Sequence, residues 1–161
     1  MANKVLVFDM DGTIADLYGV ENWLSDLRAH NPRPFRVAKP MYDMATLNTL
    51  VNILKENGWT IAITSWLPME SNRAFDNKVR VEKMAWLKAY GFPYDEVHLV
   101  KYGTTKAKCT RKLGGVQYLF DDNEQVRKGW DNHKNRFSFD ANQDIIIALT
   151  HLLLDEFYFI K

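Results

Sequence analysis

Asp9 and Asp11 stand two positions apart, followed at once by Gly12 and Thr13. Carboxylates that close need a cation between them or a shared proton. The apolar run Val5 to Phe8 comes directly before them. Two other apolar runs end in the same polar manner, one at Thr64 and Ser65, the other at Asp121 and Asp122. Turns favour Asp and Ser, which would account for one such ending. It does not account for three, each preceded by an apolar stretch. Grouped carboxylates, hydroxyls and a permissive glycine point to Mg²⁺ and phosphate chemistry.

Phosphoryl transfer needs a nucleophile, an acid/base, a metal and donors for the non-bridging oxygens. Asp9 is a candidate nucleophile. Asp11 can protonate the leaving oxygen and then activate water. Gly12 would let backbone N–H groups approach the phosphoryl group, and Thr64 or Ser65 can donate to one of its oxygens. A lysine is needed to balance the charge. Asp121 and Asp122 can complete a Mg²⁺ shell, since that ion takes oxygen ligands.

These residues require elements that bring them together. Residues 4–8, 59–64, 97–100, 116–120 and 136–139 read as strands. Helices are expected over 16–30, 44–55, 78–90, 104–113 and 141–157, with loops at 31–40 and 66–77. The helix at 44–55 is the clearest, with Leu47, Leu50, Val51 and Leu54 on one face. Alternating strands and helices imply an α/β fold, a parallel sheet with helices on both faces. Right-handed crossovers then carry the polar strand ends to one edge, where ligands bind in such sheets.

The 161 residues suit a single domain, 1–161, and a hydrophobic fraction of 47% excludes a disordered class. Lys and Arg number 21 against 20 Asp and Glu, so net charge gives no argument for wholesale nucleic-acid binding. The single cysteine, Cys109, cannot form an internal disulfide and suits a reducing compartment. Neither a signal peptide nor a membrane span is expected, and the expected location is cytoplasmic.

Taken together, the segments resemble the four motifs of the haloacid dehalogenase (HAD) superfamily of phosphohydrolases. FDMDGT is similar to motif I, IAITS to motif II and LFDDN to motif IV. For motif III, the stretch YGTTK favours Lys106 at the start of a helix, with Lys101 as the runner-up. The resemblance implies a three-layer α/β/α sandwich, a HAD-like (Rossmannoid) sheet with a minimal cap after the first strand. It implies Asp9 as nucleophile, Asp11 as general acid/base, and Mg²⁺ held by Asp9, the Asp11 carbonyl and a motif IV aspartate. Asp122 is favoured as the direct ligand, with Asp121 in the outer shell.

Within the superfamily the chain looks most like the 5′(3′)-deoxyribonucleotidase group and its short relatives. DMDGTIAD, EKMAW and LFDDNEQVRKG each resemble segments of that group, and the second suggests Lys83 near the phosphate. The chain departs from the group in its cap, which here is only the segment 14–43. An open site is expected. The resemblance therefore implies a phosphatase for a small phosphate ester, a nucleoside monophosphate foremost. A 3′-phosphorylated nucleic-acid end, or a phosphoprotein, is the alternative substrate, and a non-catalytic binding module is the alternative of another class.

Aromatic residues near these segments could stack on a base. Trp66, directly after motif II, is the best candidate substrate contact, and Trp23, Phe35 and Tyr42 lie in the cap. Arg33, Arg36 and Lys39 could meet a phosphate chain. Trp59, Trp86 and Trp130 are expected in the core, and no histidine is given a role.

Overall fold

A computed structural model describes residues 3–158. Five parallel strands form the central sheet in the order β5-β4-β1-β6-β7, where β1 is Lys4–Phe8, β4 Thr60–Trp66, β5 Glu96–Val100, β6 Val116–Asp121 and β7 Arg136–Asp140. The short strands β2 (Ala15–Asp16) and β3 (Lys39–Pro40) pair antiparallel outside it. Helices α3 (Met44–Glu56), α4 (Arg73–Ala89), α6 (Glu124–Asp131) and α7 (Ile145–Tyr158) flank the sheet, with shorter helices α1 (Trp23–Arg28), α2 (Arg33–Val37) and α5 (Lys106–Cys109) beside the strand ends. The architecture is a three-layer, Rossmann-like α/β/α fold, as expected.

The side-chain period of two in a strand divides β1 between the two cores. Leu6 and Phe8 pack with Leu47, Val51 and Leu54 of α3 and with Leu149 of α7. Val5 and Val7 face the other way, onto Ala107 and Trp130. All four β1 residues from Val5 to Phe8 are fully buried, so the strand's end is fixed in position. Trp59, Trp86 and Trp130 are buried, as expected. Among the described residues no helix is long and apolar enough to cross a membrane.

Several boundaries differ from the sequence reading. The expected helix over 16–30 shrinks to α1, because Asp16 accepts from the Gly19 amide at 3.0 Å and Asn22 is left-handed at φ 63°. The expected loop 31–40 contains α2 and β3. Pro34 sits in the first turn of α2, where its missing N–H costs nothing. β3 exists only because Ala15 and Asp16 lie opposite it, a long-range pairing with no local signature.

Helix α4 starts at Arg73 inside the expected loop 66–77. Asn72 caps it by accepting from the Phe75 amide at 2.8 Å. The basic helix expected over 104–113 breaks after Cys109 into a 3₁₀ turn, Arg111–Leu113. Helix α6 was not expected. It is short and polar, and Asn123 caps it through the Gln125 and Val126 amides.

Candidate active site

The ends of β1, β4 and β6 converge at one edge of the sheet. Parallel register makes this unavoidable: Phe8 lies opposite both Ile63 and Phe120, so Asp9, Thr64 and Asp121 each come one residue later. The Asp9 amide donates to the Phe120 carbonyl at 2.9 Å, which continues the ladder into the site.

Two buried lysines are fixed by these carboxylates. Lys106, at the start of α5, donates to Asp9 Oδ1 at 2.9 Å and to Asp121 Oδ2 at 2.7 Å. It is 5% exposed. Burial works against its ammonium, but the charges of Asp9 and Asp121 outweigh that and hold its pKa above the ordinary lysine value. Lys101, the alternative for this role, is exposed. Lys83, on α4, is 1% exposed and donates to Asp11 Oδ2 at 2.8 Å, Ser65 Oγ at 2.8 Å and the Trp66 carbonyl at 3.0 Å. Asp9 and Asp11 thus face separate cations, brought from separate helices.

Asp9, Asp121 and Asp122 offer carboxylate oxygens within 4.8 Å of one another. Asp121 is already engaged, by Lys106 at Oδ2 and by the Asn123 amide at Oδ1, 2.9 Å away. Asp122 forms no ion pair with the described residues. Burial, then the charge of Asp9, pushes Asp121 up to about 6 despite Lys106. Burial and the charges of Asp9 and Asp121 push Asp122 up to about 7. Burial is also the largest influence on Asp11, whose pKa rises although Lys83 opposes it. Four carboxylates share two ammonium groups here. The cluster has the oxygen-only donor set of a hard cation, and it could bind a metal ion.

The turn after β1 is closed by its own backbone hydrogen bonds. Gly12 does not offer its own amide to a ligand, because that amide donates to the Ala15 carbonyl at 2.9 Å. The Met10 carbonyl accepts from Thr13, Ile14 and Ala15, closing the turn. What Gly12 permits is the close approach of Asp122. At φ 79° it is left-handed, and a Cβ there would collide with the Asp122 carboxylate. Thr13, fully buried, stands 3.4 Å from Asp9 Oδ2.

Thr64 and Ser65 are both buried, but differently used. Ser65 Oγ accepts from Lys83. Thr64 Oγ1 has no hydrogen-bond partner among the described residues. Trp66 is fixed by its indole N–H, which donates to the Thr104 carbonyl at 2.8 Å, and its ring lies 5.5 Å from Lys106 Nζ.

A cavity of about 300 Å³ opens over Asp9, Asp11, Asp121 and Asp122. Trp66 lines it, as do Trp23 and Phe35 of the 14–43 segment. Tyr42 does not; its hydroxyl instead meets the Gln143 carbonyl and the Ile145 amide at the start of α7. Arg33 and Arg36 turn away, Arg33 onto Asp26 and the Glu21 carbonyl, Arg36 toward Glu82. Lys39 is exposed on β3. Tyr18 and Tyr102 also line the cavity and escaped the sequence reading. Tyr18 was hidden inside an expected helix, and Tyr102 is an isolated aromatic in a loop. Burial and the charges of Asp11 and Asp122 raise the Tyr18 pKa, so its hydroxyl keeps its proton.

No family model matches the chain, and no curated protein matches it in sequence. Among solved structures, a chain from the structure of the Pnkp1/Rnl/Hen1 RNA repair complex is similar over 86% of this chain, with a TM-score of 0.61 and 17% identity. This chain spans 42% of that one. The likeness is one of fold.

Proposed function

We propose that the protein is a cytoplasmic Mg²⁺-dependent phosphatase of the haloacid dehalogenase type, acting on phosphate monoesters and foremost on nucleoside monophosphates. Residues 1–161 act as one catalytic domain, with 14–43 as its small cap. The observation that carries this reading is the pairing of Asp9 with Lys106 and of Asp11 with Lys83. Two carboxylates two residues apart are thereby held in different surroundings, as a nucleophile and an acid/base must be.

In this mechanism the Asp9 carboxylate attacks phosphorus and the bond from phosphorus to the ester oxygen breaks. Asp11, whose raised pKa favours the protonated form, gives its proton to the departing oxygen. Asp11 then takes a proton from water. That water attacks the aspartyl-phosphate, the bond from phosphorus to Asp9 breaks, and phosphate leaves. Lys106 orients Asp9, while Lys83 and Thr64 or Ser65 bind the phosphoryl oxygens. Asp9, the Asp11 carbonyl and Asp122 would hold the Mg²⁺, with Asp121 behind them. When bound, the ion neutralises charge on the phosphoryl group.

Asp9→Asn should lower turnover of an aryl phosphate by on the order of 10⁴-fold, and EDTA should abolish it reversibly. Wild-type rates in purified Asp9→Asn would overturn the mechanism. The likeness to a chain of an RNA repair complex favours one second reading, a phosphatase for nucleic-acid ends. Turnover of a 3′-phosphorylated oligonucleotide beside that of nucleoside monophosphates distinguishes the two.

A further inference from the structure

The wall of the cavity differs in kind from its floor. Lys106 is the one cation among its lining residues, with Lys83 buried behind Asp11, and the ion-pair partners of both are carboxylates of the floor. Four carboxylates make up the floor. Above them the wall is apolar and aromatic, and two aromatic pairs stand in it. Tyr18 and Trp23, from the segment after β1, meet edge to face with centroids 5.0 Å apart. Trp66 and Tyr102, from the ends of β4 and β5, meet at 4.7 Å. Tyr18 and Tyr102 are 52% and 50% exposed, so each leaves ring surface free at the mouth.

The cations that could have served a second anionic group are placed elsewhere. Arg33 is bound to Asp26, and Arg36 faces Glu82. Arg28 does not line this cavity; it borders an adjoining one beside Glu70, beyond the shared wall of Leu24, Leu27, Pro68 and Met69. A charge set against an apolar wall loses its hydration without a partner. A neutral planar group loses little and gains stacking on the ring faces.

From this we infer that the site selects its esters by the charge of the leaving group: it takes monophosphates of neutral, planar aromatic or nucleoside alcohols and turns away esters whose leaving group carries another phosphate. The inference rests on the phosphatase reading and deepens it. It separates a free nucleoside monophosphate from a nucleic-acid end, whose neighbouring phosphodiesters are anionic.

The test compares matched esters in Mg²⁺: a nucleoside 5′-monophosphate against the 3′,5′-bisphosphate of the same nucleoside, and 1-naphthyl phosphate against glycerol phosphate. The expected kcat/KM favours the first of each pair at least tenfold. Trp23→Ala and Tyr102→Ala should raise KM for 1-naphthyl phosphate about tenfold more than KM for glycerol phosphate, and Trp23→Phe and Tyr102→Phe should restore the preference. A bisphosphate turned over as well as the monophosphate overturns the inference and leaves the phosphatase reading standing. If no ester is turned over, the phosphatase reading fails. Binding of the same four esters, followed by tryptophan fluorescence, then decides the selectivity by itself, and equal affinities overturn it.

Discussion

Lys83 reaches Asp11 across 72 positions of sequence, its Nζ 2.8 Å from Oδ2. The lysine is 1% exposed, and its ammonium also serves Ser65 and the Trp66 carbonyl, so one helix residue ties β4 to the turn after β1. Phe35 of α2 closes the other side, its ring centroid 5.2 Å from Nζ. The four groups form one unit rather than a pair with bystanders.

Replacing that lysine should therefore cost fold as well as function. Lys83→Met leaves Asp11 without its cation and two acceptors without a donor. Removing one member of a buried pair typically destabilises by about 3–5 kcal/mol. Here Asp11 keeps some access to water, so about 2–3 kcal/mol is expected in urea unfolding. A loss under 0.5 kcal/mol would mean that the pair contributes nothing to the fold.

The acidic cluster predicts how the metal-free protein responds to pH. Asp121 and Asp122 sit at about 6 and about 7 in the folded protein, against an ordinary 3.8. Between those values the folded chain holds protons that the unfolded chain has released. The contribution of these two groups to stability without metal is therefore greatest at low pH and falls as pH rises through about 4 to about 7. Under the proposed function, Mg²⁺ binding at the cluster should displace those protons and remove the loss. Melting temperatures at about pH 5 and about pH 8, in EDTA and in excess Mg²⁺, check both parts. A metal-free protein that melts higher at the upper pH contradicts the first, and an absent Mg²⁺ effect at that pH contradicts the second.

Gly12→Ala should disturb the acidic cluster before it damages the sheet. The new Cβ meets the Asp122 carboxylate and forces a left-handed backbone on alanine. The strain is about 1–2 kcal/mol. Calorimetric titration with Mg²⁺ should show weakened binding in a protein whose circular dichroism is that of the wild type. Unaltered Mg²⁺ affinity would mean that Asp122 is free to move aside.

Thr64→Val is expected to act in opposite directions on stability and turnover. The hydroxyl is buried without a partner, and exchange for a methyl of similar size should stabilise by about 1 kcal/mol. If that hydroxyl donates to the phosphoryl group, kcat/KM falls more than tenfold in the same variant. Full activity in Thr64→Val would leave Ser65 as the donor at this strand end.

The sequence by itself determined the sheet and the kinds of residue brought to its edge. Apolar runs long enough for a strand, each ended by Asp or Thr-Ser, left few other arrangements for β1, β4 and β6. Helix α3 was legible from its periodicity. The caps were harder: Asn72 and Asn123 start helices whose first turns carry too few apolar residues to register. The elements within 16–40 were not legible because their order comes from pairings without apolar periodicity, β2 against β3 and Arg33 against Asp26.

Only the tertiary structure decided which charges meet. Lys106 and Lys101 are equal in composition, and the start of α5 puts one at Asp9 and leaves the other exposed. Asp121 and Asp122 are adjacent in sequence, yet the alternation of β6 turns Asp121 toward Lys106 and leaves Asp122 beside Gly12. The aromatic wall of the cavity likewise comes from three separated segments. Local propensity fixes elements and their ends, whereas distances between side chains far apart in sequence follow from packing.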